Sequence, residues 1–247
     1  MKKVLGFTLA LAINLFILSQ VACQYNGWGN GKGITGEGQS VSRNLNLDNF
    51  SGVRLSLAGN VYISQGATQS VRVEAQANVI DNLSTEVDNG VWRIGFQNPV
   101  RNYDRLNIYI TIPKLTEAWV SGSGNINGET PFTDIDKFDA GISGSGNIRL
   151  NISANTVMAK TSGSGNINLR GSATECQAIV SGSGDIDTEG LEAQDVTATV
   201  SGSGNCEVTA RRSIKATVSG SGDIFYHGNP GQVQSRSSGS GDVEARN

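Results

Sequence analysis

Three aspartates, Asp185, Asp223 and Asp242, hold the same place after a recurring Ser-Gly-Ser-Gly step. Oxygen ligands stacked in register can gather round a hard cation, so calcium binding is the first chemistry to weigh. The same place carries Asn125, Asn147, Asn166 and Asn205 in the other four copies, and the nine-residue glycine and aspartate repeat of calcium-binding β-rolls is absent. The column therefore reads as a structural ladder of amides and carboxylates, with Asp223 and Asp242 repelling one another unless screened or bridged. No metal ligand is assigned.

The one histidine, His227 in "DIFYHGNP", has no cysteine near it in the repeat register. A nucleophile system needs its base held at hydrogen-bonding distance, so His227 is expected to be a solvated residue on an outward turn beside Gly228. Without a second histidine, a His-rich metal site is not expected. Cys176 and Cys206 fall five residues before and five residues after the first serine of their respective repeats. A disulfide needs Cα atoms within about 7 Å, which these registers do not supply, so both are expected as buried thiols in columns of Val and Ile. Arg211 and Arg212 are the only adjacent basic pair in the repeat region, and no paired carboxylates accompany them for acid/base work. The expectation is a protein without catalytic residues or cofactor.

What must position these side chains is the repeat. Its seven copies begin at Ser121, Ser143, Ser162, Ser181, Ser201, Ser219 and Ser238, a period of about 19 residues. Three residues before the first serine stand Ala118, Ala140, Ala159, Ala178, Ala198, Ala216 and Ser235. Five residues after it stand Ile126, Ile148, Ile167, Ile186, Cys206, Ile224 and Val243. Further apolar columns lie five before and one before, all on one parity, with mostly polar residues between them. That is the pattern of strands with one buried face.

The glycines of each step share the inner parity, which places them where the chain bends or two backbones approach closely. One coil cannot bury its own apolar face, and stacked coils can. The fold expected is an all-β, parallel β-solenoid with coils of about 19 residues. Ahead of it, runs such as Val53, Leu55 and Leu57 or Ile108, Ile110 and Ile112 lack the serine–glycine step. They read as irregular first coils or an antiparallel cap over the open edge.

The chain has 247 residues, 37% of them hydrophobic, with 32 glycines, four prolines and a formal net charge of -3. This balance offers no basic footprint for nucleic acid. Lys2 and Lys3, the apolar run Val4 to Leu18 and the small residues before Cys23 read as a signal peptide over 1–22. Cys23 resembles the lipid-modified cysteine of bacterial lipoproteins; Ala22 fits that pattern, whereas Gln20 stands where an aliphatic residue is usual. Ordinary cleavage near the same point is the alternative. Residues 23–45 are rich in glycine and read as a flexible tether, leaving 46–247 as the folded domain with the repeats at 116–247.

The segments "FSGVRLSLAGNVYISQG", "STEVDNGVWRIGF" and "LNIYITIP", with the many "GSGNI" and "GSGDI" steps, resemble the bacterial auto-transporter adhesin, head GIN domain family over roughly residues 46 to 247. The resemblance implies a right-handed β-solenoid in the cell envelope. Nothing after Ser238 resembles the membrane strands of a translocating barrel, so an adhesin of this sequence would be held by an N-terminal lipid. The expected function is a non-enzymatic adhesin or interaction scaffold, exported to the envelope as an outer-membrane lipoprotein or periplasmic protein. Its partner would be a surface glycan or an envelope protein. The alternative is an envelope carbohydrate-binding module or a solenoid carbohydrate-active enzyme.

Overall fold

A computed structural model describes residues 33–246. The expected signal peptide, Cys23 and the first part of the expected tether lie outside the described residues. Val and Ile alternating with polar residues make each repeat a strand. Four long ones, Asn147–Thr161, Ile167–Val180, Ile186–Val200 and Cys206–Val218, run parallel between successive Ser-Gly-Ser-Gly bends. Their register follows the period of the sequence: Ile148 lies beside Ile167, Ile167 beside Ile186, and Ile186 beside Cys206. Ala159, Ala178, Ala198 and Ala216 stack in the same way, and all of these side chains are buried. Each coil thus covers the apolar face of the next, as a solenoid requires.

The bends explain the glycines. A Cβ placed on Gly165 would sit 1.8 Å from the carbonyl oxygen of Gly146 in the coil below, and one on Gly163 would sit 2.0 Å from that of Gly144. None of the glycines in these steps has a left-handed φ. Close approach of backbones, rather than an unusual dihedral angle, is what excludes side chains here. The bend amides close the gap, with Ser164 N–H and Gly165 N–H both donating to the oxygen of Gly144 at 3.0 and 3.3 Å.

Two further coils without the glycine step continue the stack, so the alternatives expected for the N-terminal region are both present. Gly52–Leu55 with Asn60–Gln65 forms one coil, and Val91–Ile94 with Asn107–Ile112 forms the other. Val53 lies between Ala118 and Trp92, and Val61 between Ile126 and Ile108. The spatial order therefore differs from the chain order: the chain passes below its first coil and then crosses above it after Ile112. Fully buried Trp92 fills the column that alanines occupy in the repeats, where the tube must be closed. Beyond this coil, Ser70–Gln76 pairs antiparallel with Asn107–Ile112, and Ser40–Leu45 pairs antiparallel with Ser70–Gln76. These strands cap the parallel edge.

Ser40–Leu45 corrects the tether expected over 23–45. Val41, Arg43 and Leu45 pair with Ala75, Val73 and Val71, so that part of the segment adds a strand to the cap. Glycine density signalled flexibility, but backbone pairing over six residues overrides it. At the opposite edge the inner columns weaken, and every residue of Gln232–Ser237 is exposed, Val233 at 46%.

Candidate functional site

The Asn/Asp column sits at the first residue after each bend. From Asn147 onward the backbone N–H at this place has turned away from the carbonyl beneath it, and the side chain below supplies the acceptor. Oδ1 of Asn147 accepts the N–H of Asn166, Oδ1 of Asn166 that of Asp185, and Oδ1 of Asp185 that of Asn205. Oδ1 of Asn205 then accepts the N–H of Asp223, and Oδ1 of Asp223 that of Asp242. The N–H needs an acceptor oxygen at Oδ1, which Asn and Asp both carry, so the two residues do this work equally well. The ladder also runs the other way, through Asn125 to Asn60 and Asn107. These hydrogen bonds hold the fold, and they tie up Oδ1 of Asp185 and Asp223, two of the three carboxylates that first suggested calcium.

Two residues further along, the outward column is varied. Its neighbours in space are Tyr109, Tyr62, Asn127, Arg149, Asn168, Asp187, Glu207, Phe225 and Glu244, one from each coil. At one end, Tyr62 and Tyr109 stack with centroids 5.2 Å apart, and the Arg72 guanidinium lies 3.9 Å from the Tyr109 ring centre. This is within cation–π range. The tyrosines border a cleft of about 620 Å³ lined also by Asn44, Ser64, Arg72 and Glu129.

At the other end the structure corrects the reading of His227. The residue closes the strand Ile224–His227, is half-buried, and directs Nε2 to Oε1 of Glu207 at 2.8 Å. Glu189 brings a third group: one ligand atom from each of Glu189, Glu207 and His227 lies within 4.8 Å of the others. Counting histidines argued only against a His-rich site, and successive coils bring different residue types into one patch. The signal was available in register, since Glu189 and His227 each stand three residues after a buried Ile, Ile186 and Ile224. Arg246 also approaches Glu207, with Nη1 3.6 Å from Oε1, and its guanidinium lies over the Phe225 ring.

Cys176 and Cys206 are buried free thiols. Burial pushes the Cys176 thiol up to about 12, opposed by a hydrogen bond with Thr188, and burial raises Cys206 as well. A thiol kept protonated is a poor nucleophile. Arg211 and Arg212 each pair with a single carboxylate, Glu192 and Asp195 respectively.

The family model described as "Putative auto-transporter adhesin, head GIN domain" matches residues 49–230. Among solved structures, a putative adhesin from Bacteroides fragilis is 25% identical with a TM-score of 0.82, covering 87% of this chain and 100% of that one. A putative adhesin from Parabacteroides distasonis is 26% identical with a TM-score of 0.70, covering 86% of this chain and 99% of that one. A putative lipid binding protein from the same organism shares the fold at 22% identity and a TM-score of 0.73, covering 87% of this chain and 100% of that one. No curated protein matches the sequence. The length of the family match, carried by coils whose register the structure reproduces, shows that the chain belongs to the auto-transporter adhesin, head GIN domain family.

Proposed function

We propose that this chain is an envelope adhesin that works by binding rather than turnover, using the outward face from Tyr109 to Glu244 as its contact surface. The observation that supports it is the contrast between neighbouring columns. The Asn/Asp column is nearly uniform because the fold consumes it, whereas the next outward column offers aromatic, amide, cationic and anionic groups at steps of about 4.8 Å. A rigid row of unlike groups is suited to recognition, because its side chains are already spaced when the partner arrives. Export through residues 1–22 and a lipid on Cys23 would place this face outside the membrane, with 24–32 as a spacer. The partner is a surface glycan or an envelope protein.

Beads carrying the mature protein should bind intact bacterial cells. A Tyr62→Ala, Asn127→Ala, Arg149→Ala variant with an unchanged melting curve should retain about tenfold less binding. Loss of binding after periodate treatment of the cells identifies a glycan, and persistence identifies a protein. Wild-type binding no higher than that of blank beads overturns the adhesin reading, and an undiminished triple variant overturns the assignment of this face.

A further inference from the structure

We infer that Glu189, Glu207 and His227 form a binding site for a divalent transition-metal cation, clamping three consecutive coils. This assignment stands independently of the adhesin reading. The three side chains come from successive coils on one face: Glu207 lies just beyond the bend that follows Ile186–Val200, and His227 in the strand after that. Imidazole Nε2 already meets Glu207 Oε1 at 2.8 Å, and a Glu189 oxygen lies within 4.8 Å of both. Tetrahedral zinc with bonds of about 2.1 Å sets its ligands about 3.4 Å apart, so binding asks for side-chain adjustment and no backbone movement. Exposed Glu189 is free to swing, while the other two groups are half-buried and restrained.

The imidazole distinguishes this patch from an acidic cluster. One nitrogen with two carboxylates suits a borderline cation such as zinc, whereas calcium requires six to eight oxygens. The backbones that carry the ligands are pinned from inside the tube. Buried Thr188 donates its hydroxyl to the carbonyl of Glu207 at 3.1 Å, and buried Thr209 donates to that of Glu189 at 2.7 Å. Thr209 is also the register partner of His227. Such supports behind the ligands reduce what must be ordered when the ion arrives.

Charge is also favourable. Asp187, the register neighbour of Glu207, adds a third carboxylate, and Arg246 is the cation already paired to Glu207. That pair is long, at 3.6 Å, and the guanidinium keeps its Phe225 contact when Glu207 turns to a metal. Three protein ligands leave a fourth position open to water.

Zinc chloride titrated calorimetrically into untagged, chelator-treated protein near neutral pH should bind at one equivalent. At a hundredfold excess over Kd it should raise the melting midpoint by roughly 5–10 °C. His227→Ala should abolish the heat signal, and Glu189→Gln, a change on an exposed side chain that leaves the coils intact, should weaken binding about tenfold or more. Calcium chloride should give no signal. Absence of zinc binding, binding unchanged in Glu189→Gln, or equal binding of calcium overturns the site.

Discussion

The coil at 52–65 and the coils of the repeat make the same bend with different residues. Register sets Ser56-Leu57-Ala58-Gly59-Asn60 against Ser121-Gly122-Ser123-Gly124-Asn125, because Leu55 pairs with Val120 and Asn60 with Asn125. Leucine stands where every repeat has its first glycine, and it is buried. The reason lies one coil below. Beneath Leu57 the chain detours through residues 95–106 between Ile94 and Asn107, whereas beneath Gly122 it passes through the short bend 56–59. The detour leaves room for a side chain, and the short bend brings a backbone against the glycine. A Cβ on Gly122 would lie 2.8 Å from the carbonyl carbon of Ser56 and 2.9 Å from the nitrogen of Leu57. The glycine is thus required by the coil beneath it, and no local preference of the bend itself demands it.

Gly165→Val tests the regular half of this contrast and should have the largest effect. Its Cβ has no room at 1.8 Å from a backbone oxygen, and neither partner is a flexible side chain that can yield. The loss should exceed about 3 kcal/mol, at or beyond the upper end of ordinary overpacking, seen as a fall in the urea midpoint or as failure to fold. Gly231→Ala, with Arg212 O as its nearest neighbour at 4.0 Å, serves as the mild control within about 0.5 kcal/mol. Equal tolerance of the two would end the close-approach account. Leu57→Gly tests the irregular half from the opposite side. It restores the repeat's own residue, yet it should destabilise by about 2–4 kcal/mol because a buried side chain vanishes above the detour. A neutral or stabilising outcome would show that the bend sequence, and not the coil beneath, chooses glycine.

Much of the repeat region was legible because its period of about 19 residues carries inner and outer columns on fixed parity. Register, buried columns and the inner glycines can all be counted from Ser121 onward. The first coils were legible only as alternating strands. Their order in space depends on the crossing after Ile112, where residues distant in the chain become neighbours, and no local pattern encodes that. Ser40–Leu45 was hidden because its pairing partner Ser70–Gln76, rather than its own glycine-rich flank, decides its conformation. His227 was misread for a related reason. Its neighbours Glu207 and Glu189 lie about 20 and 40 residues away, and scanning for a second histidine passes over carboxylates brought in by stacking.

The smallest effects belong to the Asn/Asp ladder, where the two regions differ again. From Asn166 onward the side chain acts only through Oδ1, which accepts the backbone N–H of the next coil. Among Asn107, Asn60, Asn125 and Asn147 the amide nitrogen also works: Asn60 Nδ2 donates to Asn107 Oδ1, Asn125 Nδ2 to Asn60 Oδ1, and Asn147 Nδ2 to Asn125 Oδ1. Here the backbone N–H of Asn125 has its own acceptor in the carbonyl of Gly59 at 2.8 Å, and that of Asn60 in Leu106 O at 2.9 Å. Aspartate is therefore confined to the region where a donor is not needed, which is where Asp185, Asp223 and Asp242 occur. Asn125→Asp should cost about 1–3 kcal/mol, since a carboxylate oxygen would face Asn60 Oδ1 with no proton between them. Asp185→Asn should change stability by less than about 0.5 kcal/mol, because the oxygen that accepts the Asn205 N–H is kept. Urea midpoints of the two variants measure the difference directly. If they shift alike, the ladder has one mode throughout, and the placement of Asp in it has another cause.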